Sequence, residues 1–227
     1  MSLPFYVSPE QLMQDRADYA RKGIARGRSA VAVLYTEGIL IAAENTSATL
    51  HKVSEIYDRI AFAGVGKYNE FDQLRIAGVR HADLKGYQYS REDVDARSLA
   101  NAYAQMLGQI FTHEMKPMEV EILVAEVGLD PAQDQVFHIL YDGSVVDEDR
   151  YSVIGGDAEA IGNRLEEAFQ PELDLGGALN AAVSALSGPD RVLAPADLEV
   201  AVLSRSNGRR AFRRIEDAEL ATLLPAT

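Results

Sequence analysis

Residues 29–44 read Ser29-Ala-Val-Ala-Val-Leu-Tyr-Thr-Glu-Gly-Ile-Leu-Ile-Ala-Ala-Glu44. Two apolar runs flank Thr36-Glu37-Gly38, which has the polar residues and the glycine that a tight turn requires. The pattern predicts a hairpin of two well-buried strands.

A helix is predicted immediately before this hairpin, over residues 9–26. Ser8-Pro9-Glu10-Gln11 has the features of a helix start: Ser8 as N-cap, Pro9 where no backbone donor is needed, and Gln11 closing a capping box. Apolar residues follow at helical spacing and Gly27 ends the run. Residues 1–8 are predicted to form a flexible, mildly apolar arm in front of the helix.

Short strands and helix pairs alternate after the hairpin. The predicted strands cover residues 60–66, 120–127, 135–141, 151–154, 198–203 and 210–215. The predicted helices cover 67–79 and 93–114, two segments around Ile161–Phe169 and Leu175–Leu186, and 217–224. Hairpins predominate over strand-helix-strand crossovers, which favours antiparallel sheets. We therefore expect an α+β protein in which residues 9–227 form one four-layer αββα sandwich with an extra N-terminal helix.

The composition excludes several classes of protein. The 227 residues are 47% hydrophobic and carry a formal charge of −13, which is typical of a globular protein and disfavours nucleic acid as a partner. There is no cysteine, so disulfides and cysteine-ligated metals are excluded. The apolar runs are far shorter than a membrane span, and the N-terminus lacks the pattern of a signal peptide. We expect a cytoplasmic protein.

Several segments, in a defined order and spacing, carry a family resemblance. They are Ser8–Gln11, Asp18-Tyr-Ala-Arg-Lys-Gly-Ile-Ala-Arg-Gly27, Leu50-His-Lys-Val-Ser-Glu-Ile-Tyr-Asp-Arg59 with the strand after it, residues 99–105, and Tyr141-Asp-Gly-Ser144 with Ile154-Gly-Gly156. The chain resembles the alpha subunits of the 20S proteasome of actinobacteria over nearly its whole length. It lacks the tyrosine-aspartate-arginine element found at the N-terminus of archaeal and eukaryotic alpha subunits.

This resemblance implies a non-catalytic subunit. Such subunits form heptameric outer rings on catalytic beta rings, control the passage of unfolded protein substrates, and dock a ring ATPase through its C-terminal tails. In actinobacteria those substrates carry the small ubiquitin-like protein Pup. The resemblance implies no cofactor, and no nucleic acid or membrane as partner.

The resemblance also implies a pocket for the activator tails. A lysine at the position of Lys52 lines a pocket between adjacent alpha subunits, where its ammonium pairs with the C-terminal carboxylate of a tail. Without the resemblance, Lys52 would be interpreted as a solvated surface lysine. The other pocket positions, which helix capping, packing and tight turns could also explain, are Pro9, Tyr19, Arg21, Gly27 and Gly66.

The N-terminal arm is the predicted gate. Its apolar side chains are suited to packing against equivalent arms in a narrow pore, although a frayed terminus is an alternative. The gate residues are Met1, Ser2, Leu3, Pro4, Phe5, Tyr6, Val7 and Ser8.

Catalysis by this chain is the main alternative. A proteasome-type nucleophile needs a free α-amine, and Ser29 occupies the position where a beta subunit presents its threonine. Cleavage after Arg28 would be required, and the capped helix before it does not resemble a disposable propeptide. No catalytic residue is therefore assigned, and an active hydrolase processed at Ser29 or an unrelated assembly protein stay as alternatives.

Other motifs indicate structure rather than chemistry. No metal ligand is assigned, because the four histidines lack ligand spacing: His51, His81, His113 and His138. Asp147-Glu148-Asp149 is interpreted as an acidic loop, and Gly155-Gly156 as a strand-to-helix turn. We expect ion pairs within the fold or at a subunit contact from Arg209, Arg210, Arg213 and Arg214.

Overall fold

The computed structural model describes residues 8–224, and the apolar runs of the sequence form ten strands. These are β1 (Ala30–Tyr35), β2 (Gly38–Glu44), β3 (Val53–Tyr57), β4 (Ile60–Gly66), β5 (Val120–Glu126), β6 (Gln135–Ile139), β7 (Val145–Glu148), β8 (Tyr151–Ile154), β9 (Leu198–Ser204) and β10 (Phe212–Ile215). They build two antiparallel five-stranded sheets, ordered β10-β9-β2-β1-β8 and β3-β4-β5-β6-β7.

Six helices accompany the sheets: α1 (Pro9–Ile24), α2 (Tyr68–Gln88), α3 (Ala96–His113), α4 (Ala158–Ala168), α5 (Leu175–Ser187) and α6 (Asp217–Leu223). No helix within residues 8–224 is long and apolar enough to cross a membrane.

Three apolar layers hold these elements together. One lies between the sheets and contains many alanines, whose small side chains let the sheets approach closely. A second packs α4, α5 and α6 on the β1-β2-β9 sheet, and a third packs α2 and α3 on the β4-β5-β6 sheet. The predicted four-layer αββα sandwich is confirmed.

The sandwich has two distinct ends. At the end called here the α1 end, β1 begins, β4 finishes at Gly66 and α1 packs across β4 and β5. At the opposite end, called the turn end, β1 turns into β2 after Tyr35 and β3 turns into β4 after Tyr57.

The first helix starts as predicted but is two residues shorter. Ser8 Oγ accepts a hydrogen bond from Gln11 N at 3.2 Å, and Pro9 is the first helical residue. The capping box is incomplete, because the Gln11 side chain donates to Asp15 Oδ1 at 2.7 Å one turn along the helix instead. α1 ends at Ile24, and Gly27 N closes the turn onto the Ile24 carbonyl at 2.9 Å.

Three local predictions were wrong. β3 was missed because residues 50–59 were interpreted as a turn, and α2 continues nine residues beyond Val79 to Gln88. Asp147 and Glu148 are not in a loop but in β7, a largely exposed strand at the edge of its sheet. Exposure explains this error, since a solvated edge strand lacks the apolar pattern of a buried one.

Candidate functional site

The α1 helix fills the end of the sandwich where β1 begins. Ala20 and Ile24 are 0% and 2% exposed and belong to the apolar layer between the sheets. Gly23 permits this approach, because a Cβ atom there would lie 2.3 Å from Oε1 of the buried Glu119. The close approach at Gly23 therefore fixes α1 against β5.

Lys52 lies immediately before β3, beside the segment that joins α1 to β1. Its ammonium donates to the Arg28 carbonyl at 2.6 Å, and its backbone N–H donates to Glu199 Oε2 at 2.8 Å. Burial lowers the pKa of Lys52 to about 8, while the nearby Glu44 and Glu199 carboxylates oppose that shift. Lys52 is thus a half-buried cation held at the start of a strand.

Glu199, which sequence reasoning missed, organises this corner. Its buried carboxylate accepts from the N–H groups of Lys52 and Val53 and from the Arg214 guanidinium at 2.6 Å. Glu199 lies on β9 in the other sheet, so no local sequence signal could connect it with Lys52.

Three predicted pocket residues come together at the α1 end. Tyr19, Gly27 and Gly66 line a cavity of about 380 Å³ together with Lys67 and Glu119. A Cβ atom on Gly27 would lie 3.1 Å from Gly66 N, so the two backbones are in contact. Gly66 has φ +97°, and a Cβ atom there would lie 2.0 Å from the Glu119 carbonyl oxygen. The two glycines therefore allow three chain segments to meet at this cavity.

Charged residues that sequence reasoning missed border this cavity. Lys116 Nζ lies 2.7 Å from Glu70 Oε1 and 2.9 Å from Glu119 Oε2, and Lys67 Nζ lies 3.7 Å from Glu70 Oε1. The network raises the pKa of Lys116 through hydrogen bonds to Glu70 and Glu119, against the opposing effect of burial. Lys67 and Glu70, like Lys116 and Glu119, are three residues apart, but the contact between the two pairs is long-range and gave no signal in the sequence.

Arg21 and Pro9 lie apart from this cavity. Arg21 faces Asp18 at 3.3 Å, and its guanidinium carbon lies 5.8 Å from the centroid of the Tyr141 ring. Pro9 is exposed at the other end of the 16-residue helix, about 22 Å along its axis from Ile24. One chain therefore brings together only part of the predicted pocket.

The predicted gate lies almost entirely outside the described residues. Ser8 is the one gate position within them, and it caps α1. The predictions for Met1–Val7 concern residues outside 8–224.

Ser29 is buried at the α1 end and is 6% exposed. Its carbonyl accepts from Glu44 N at 3.1 Å, and a Cβ atom on Gly155, which has φ +119°, would lie 2.7 Å from Ser29 Oγ. Gly155 follows β8 and precedes α4, as predicted for a strand-to-helix turn.

A polar cavity of about 460 Å³ adjoins Ser29. The Glu44 carboxylate lies between Arg28 at 2.7 Å and Arg191 at 3.1 Å, and these ion pairs tie the residues before β1 to the loop after α5. The cavity is thus lined by charges that neutralise one another.

No group of three or more metal-ligating side chains occurs within residues 8–224. Two histidines face carboxylates: His51 Nδ1 lies 3.2 Å from Glu199 Oε1, and His138 Nε2 lies 3.6 Å from Glu121 Oε2 without a hydrogen-bond partner in the described structure.

Known proteins match this chain over almost its full length. A family described as "Proteasome subunit" matches residues 24–203. "Proteasome subunit alpha" of Acidimicrobium ferrooxidans is 61% identical over 224 residues, covering 99% of this chain and 97% of that protein. Proteins with the same name are 59% identical in Sanguibacter keddieii, covering 99% of this chain and 90% of that protein, and 57% identical in Kineococcus radiotolerans, covering 100% of both.

Two stacked antiparallel sheets between helix layers, with a helix closing one end, define a proteasome-type sandwich. The chain belongs to the proteasome subunit family. Its actinobacterial relatives are alpha subunits, so it is an alpha-type subunit that assembles with other proteasome subunits.

Proposed function

We propose that the chain is the non-catalytic alpha subunit of a cytoplasmic 20S core particle. It forms the outer heptameric rings, gates the passage of unfolded polypeptide, and docks a ring ATPase that delivers Pup-tagged proteins. The observation that carries this proposal is the position of α1, which fills the end of the sandwich ahead of Ser29.

The arrangement around Ser29 disfavours the hydrolase alternative. An N-terminal nucleophile acts through its free α-amine, whereas the Ser29 nitrogen forms a peptide bond with Arg28. Releasing that nitrogen would cut α1 from the rest of the chain, and departure of α1 would take Ala20 and Ile24 from the core and leave the end of the sheets open to water. Peptide-bond cleavage is therefore assigned to the beta partner.

Lys52 with Tyr19, Gly27 and Gly66 is the proposed receptor for activator tails. A compact ammonium suits the single C-terminal carboxylate of an activator tail. The adjacent cavity of about 380 Å³ would accommodate a side chain of the same tail. Because Pro9 and Arg21 lie elsewhere on α1, we propose that the α1 helix of a neighbouring subunit completes the pocket.

Co-expression with the beta partner tests the catalytic assignment. We expect a large two-component particle that hydrolyses peptides and contains this chain starting at Met1 or Ser2 by intact mass. Ser29→Ala should leave the peptidase activity unchanged, whereas replacing the N-terminal threonine of the beta partner by alanine should abolish it. A chain that starts at Ser29, or activity lost with Ser29→Ala in a fully assembled particle, would refute the proposal.

A further inference from the structure

We propose that the two lateral edges of the sandwich are the two halves of one head-to-tail contact between copies of this chain. One edge, formed by β3 and β10, presents arginines; the other, formed by β7 and the turn into β8, presents aspartates. This inference rests on the proposed ring and identifies the surfaces that form it.

The arginine edge presents positive charge although each arginine has a carboxylate partner. Arg209 and Arg91 both pair with Asp58, and their side chains are 77% and 50% exposed against 18% for Asp58. Arg210 is 75% exposed and pairs with Glu55, which is 25% exposed. The carboxylates lie inside and the guanidinium groups outside, so a partner meets cations.

The aspartate edge is the chemical opposite. Asp147 and Asp149 are exposed, and neither forms an ion pair with any residue within 8–224. β7 has β6 as its single strand neighbour in the described sheet, so its outer side is open. The neighbouring Arg150 is paired with Glu166 at 2.9 Å, so the two aspartates stay available to an external cation.

Both charged groups lie at the turn end of the sandwich. Leu203 on β9 pairs with Phe212 on β10, so the loop that carries Arg209 and Arg210 lies beyond this pair at the turn end. On the other edge, Tyr151 pairs with Val33 near the end of β1, which places the preceding Asp149 at the same end. The two groups therefore lie at matching heights on opposite sides.

This placement suits a closed ring whose axis runs along the strands. Cyclic symmetry repeats one heterologous contact, in which one edge of each copy meets the other edge of the next at the same height. Exposed apolar side chains accompany the charges: Tyr87 and Tyr89 are 90% and 73% exposed at the end of α2 beside β3, and Val145 and Val146 are 37% and 43% exposed on β7. Charge thus sets the register and apolar area supplies affinity.

Charge reversal tests the contact in the co-expressed particle, with assembly followed by native mass spectrometry across subunit concentrations. Asp149→Arg and Arg209→Glu, each alone, should raise the concentration for half-maximal assembly about tenfold or more, because each places like charges opposite one another. Combined in one chain, they should restore assembly, since each copy then carries both reversed edges. Such rescue also excludes misfolding as the cause of the single-variant loss.

The matched control is Glu37→Arg. Glu37 is exposed in the β1–β2 turn, at the same end of the sandwich but in the middle of its sheet. The Glu37→Arg variant should assemble like the wild type. Two outcomes would overturn this inference without affecting the proposed function. One is that the Asp149→Arg variant assembles as well as the Glu37→Arg variant, and the other is that the double variant shows no rescue. A wild-type chain that forms no ring would overturn the proposed function and this inference with it.

Discussion

Lys52 carries its charge in a half-buried position, which makes it sensitive to pH. Its ammonium donates to a backbone carbonyl, and burial lowers its pKa from 10.5 to about 8. A surface lysine would stay charged throughout the physiological range, whereas this one loses its proton as the pH rises through 8.

Docking of an activator tail should therefore weaken between pH 7 and pH 9. The protonated fraction of Lys52 falls about tenfold over this range, and the affinity should fall with it. The measurement is the affinity of an N-acetylated peptide with the activator's C-terminal sequence for the assembled particle. Lys52→Ala should bind weakly at both pH values, and Lys52→Arg should bind equally at both because arginine stays charged.

The contribution of Lys52 to the stability of the fold changes with pH in the opposite direction. A lysine whose pKa is lower in the folded state binds fewer protons there, so the free energy of unfolding rises with pH between about 8 and 10.5. The titration of Lys52 thus stabilises the fold over the range in which it weakens docking, and the free energy of unfolding measured at pH 7 and pH 9 separates the two effects. Affinity that is unchanged between pH 7 and 9 in the wild type would contradict the role of Lys52.

The sequence analysis selected Lys52, Tyr19, Gly27 and Gly66 as pocket positions through the family resemblance rather than through their chemistry. Only the structure shows what surrounds them, because Glu199 and Glu119 approach from strands distant in the sequence. Long-range partners of this kind leave no local pattern.

Between elements, Arg16 is the main link from α1 to α3. Its guanidinium donates to the carbonyls of Phe111 at 2.7 Å and Ile110 at 3.3 Å, and also to that of Glu114. The Phe111 and Glu114 carbonyls lie at the C-terminal end of α3, where backbone acceptors run out of helical partners, whereas the Ile110 carbonyl also accepts from Glu114 N at 3.1 Å. The guanidinium carbon also lies 5.8 Å from the centroid of the Phe111 ring.

Replacing Arg16 by Met should destabilise the fold by about 1–3 kcal/mol, because methionine keeps the apolar stem but leaves the α3 carbonyls without a charged donor. Denaturant unfolding at fixed protein concentration measures this loss. Lys22→Met removes the same charge from an exposed position on α1 and should cost under about 0.5 kcal/mol. Equal stabilities of the two variants would contradict the capping role.

The elements predicted best from the sequence are those whose pattern is complete within one segment. The buried hairpin β1–β2 and the capped start of α1 are examples, since turn residues, apolar runs and cap occur together. β7 was missed because four mostly exposed residues become a strand only through pairing with β6. Edge strands of this kind depend on tertiary partners, which one sequence does not contain.

For the whole molecule, the proposed gate gives a direct prediction. Deleting Met1–Val7 should raise hydrolysis of small peptides by the assembled particle several-fold, because the pore would lose the side chains that close it. Ser8 is retained so that α1 keeps its cap. Lys52→Ala, with an intact arm, is the control and should not raise the rate. An unchanged rate in a fully assembled deletion particle would contradict the gate.

The four-layer arrangement followed from the order of elements, but the pairing of distant strands did not. Hairpins and helix pairs were sufficient to predict two covered antiparallel sheets. In the first sheet, β9 lies beside β2 and β8 lies on the other side of β1. These pairings depend on the packing of strand edges that are far apart in the sequence.

The position of β9 also has a consequence for synthesis on the ribosome. All seven residues of β2 are buried, and one of its two neighbours is β9, near the end of the chain. Until β9 emerges, β2 exposes an apolar edge that can pair with other nascent chains. The chain therefore depends on late closure of its first sheet, and aggregation through this edge is expected to be greatest for nascent chains that contain β2 but not yet β9.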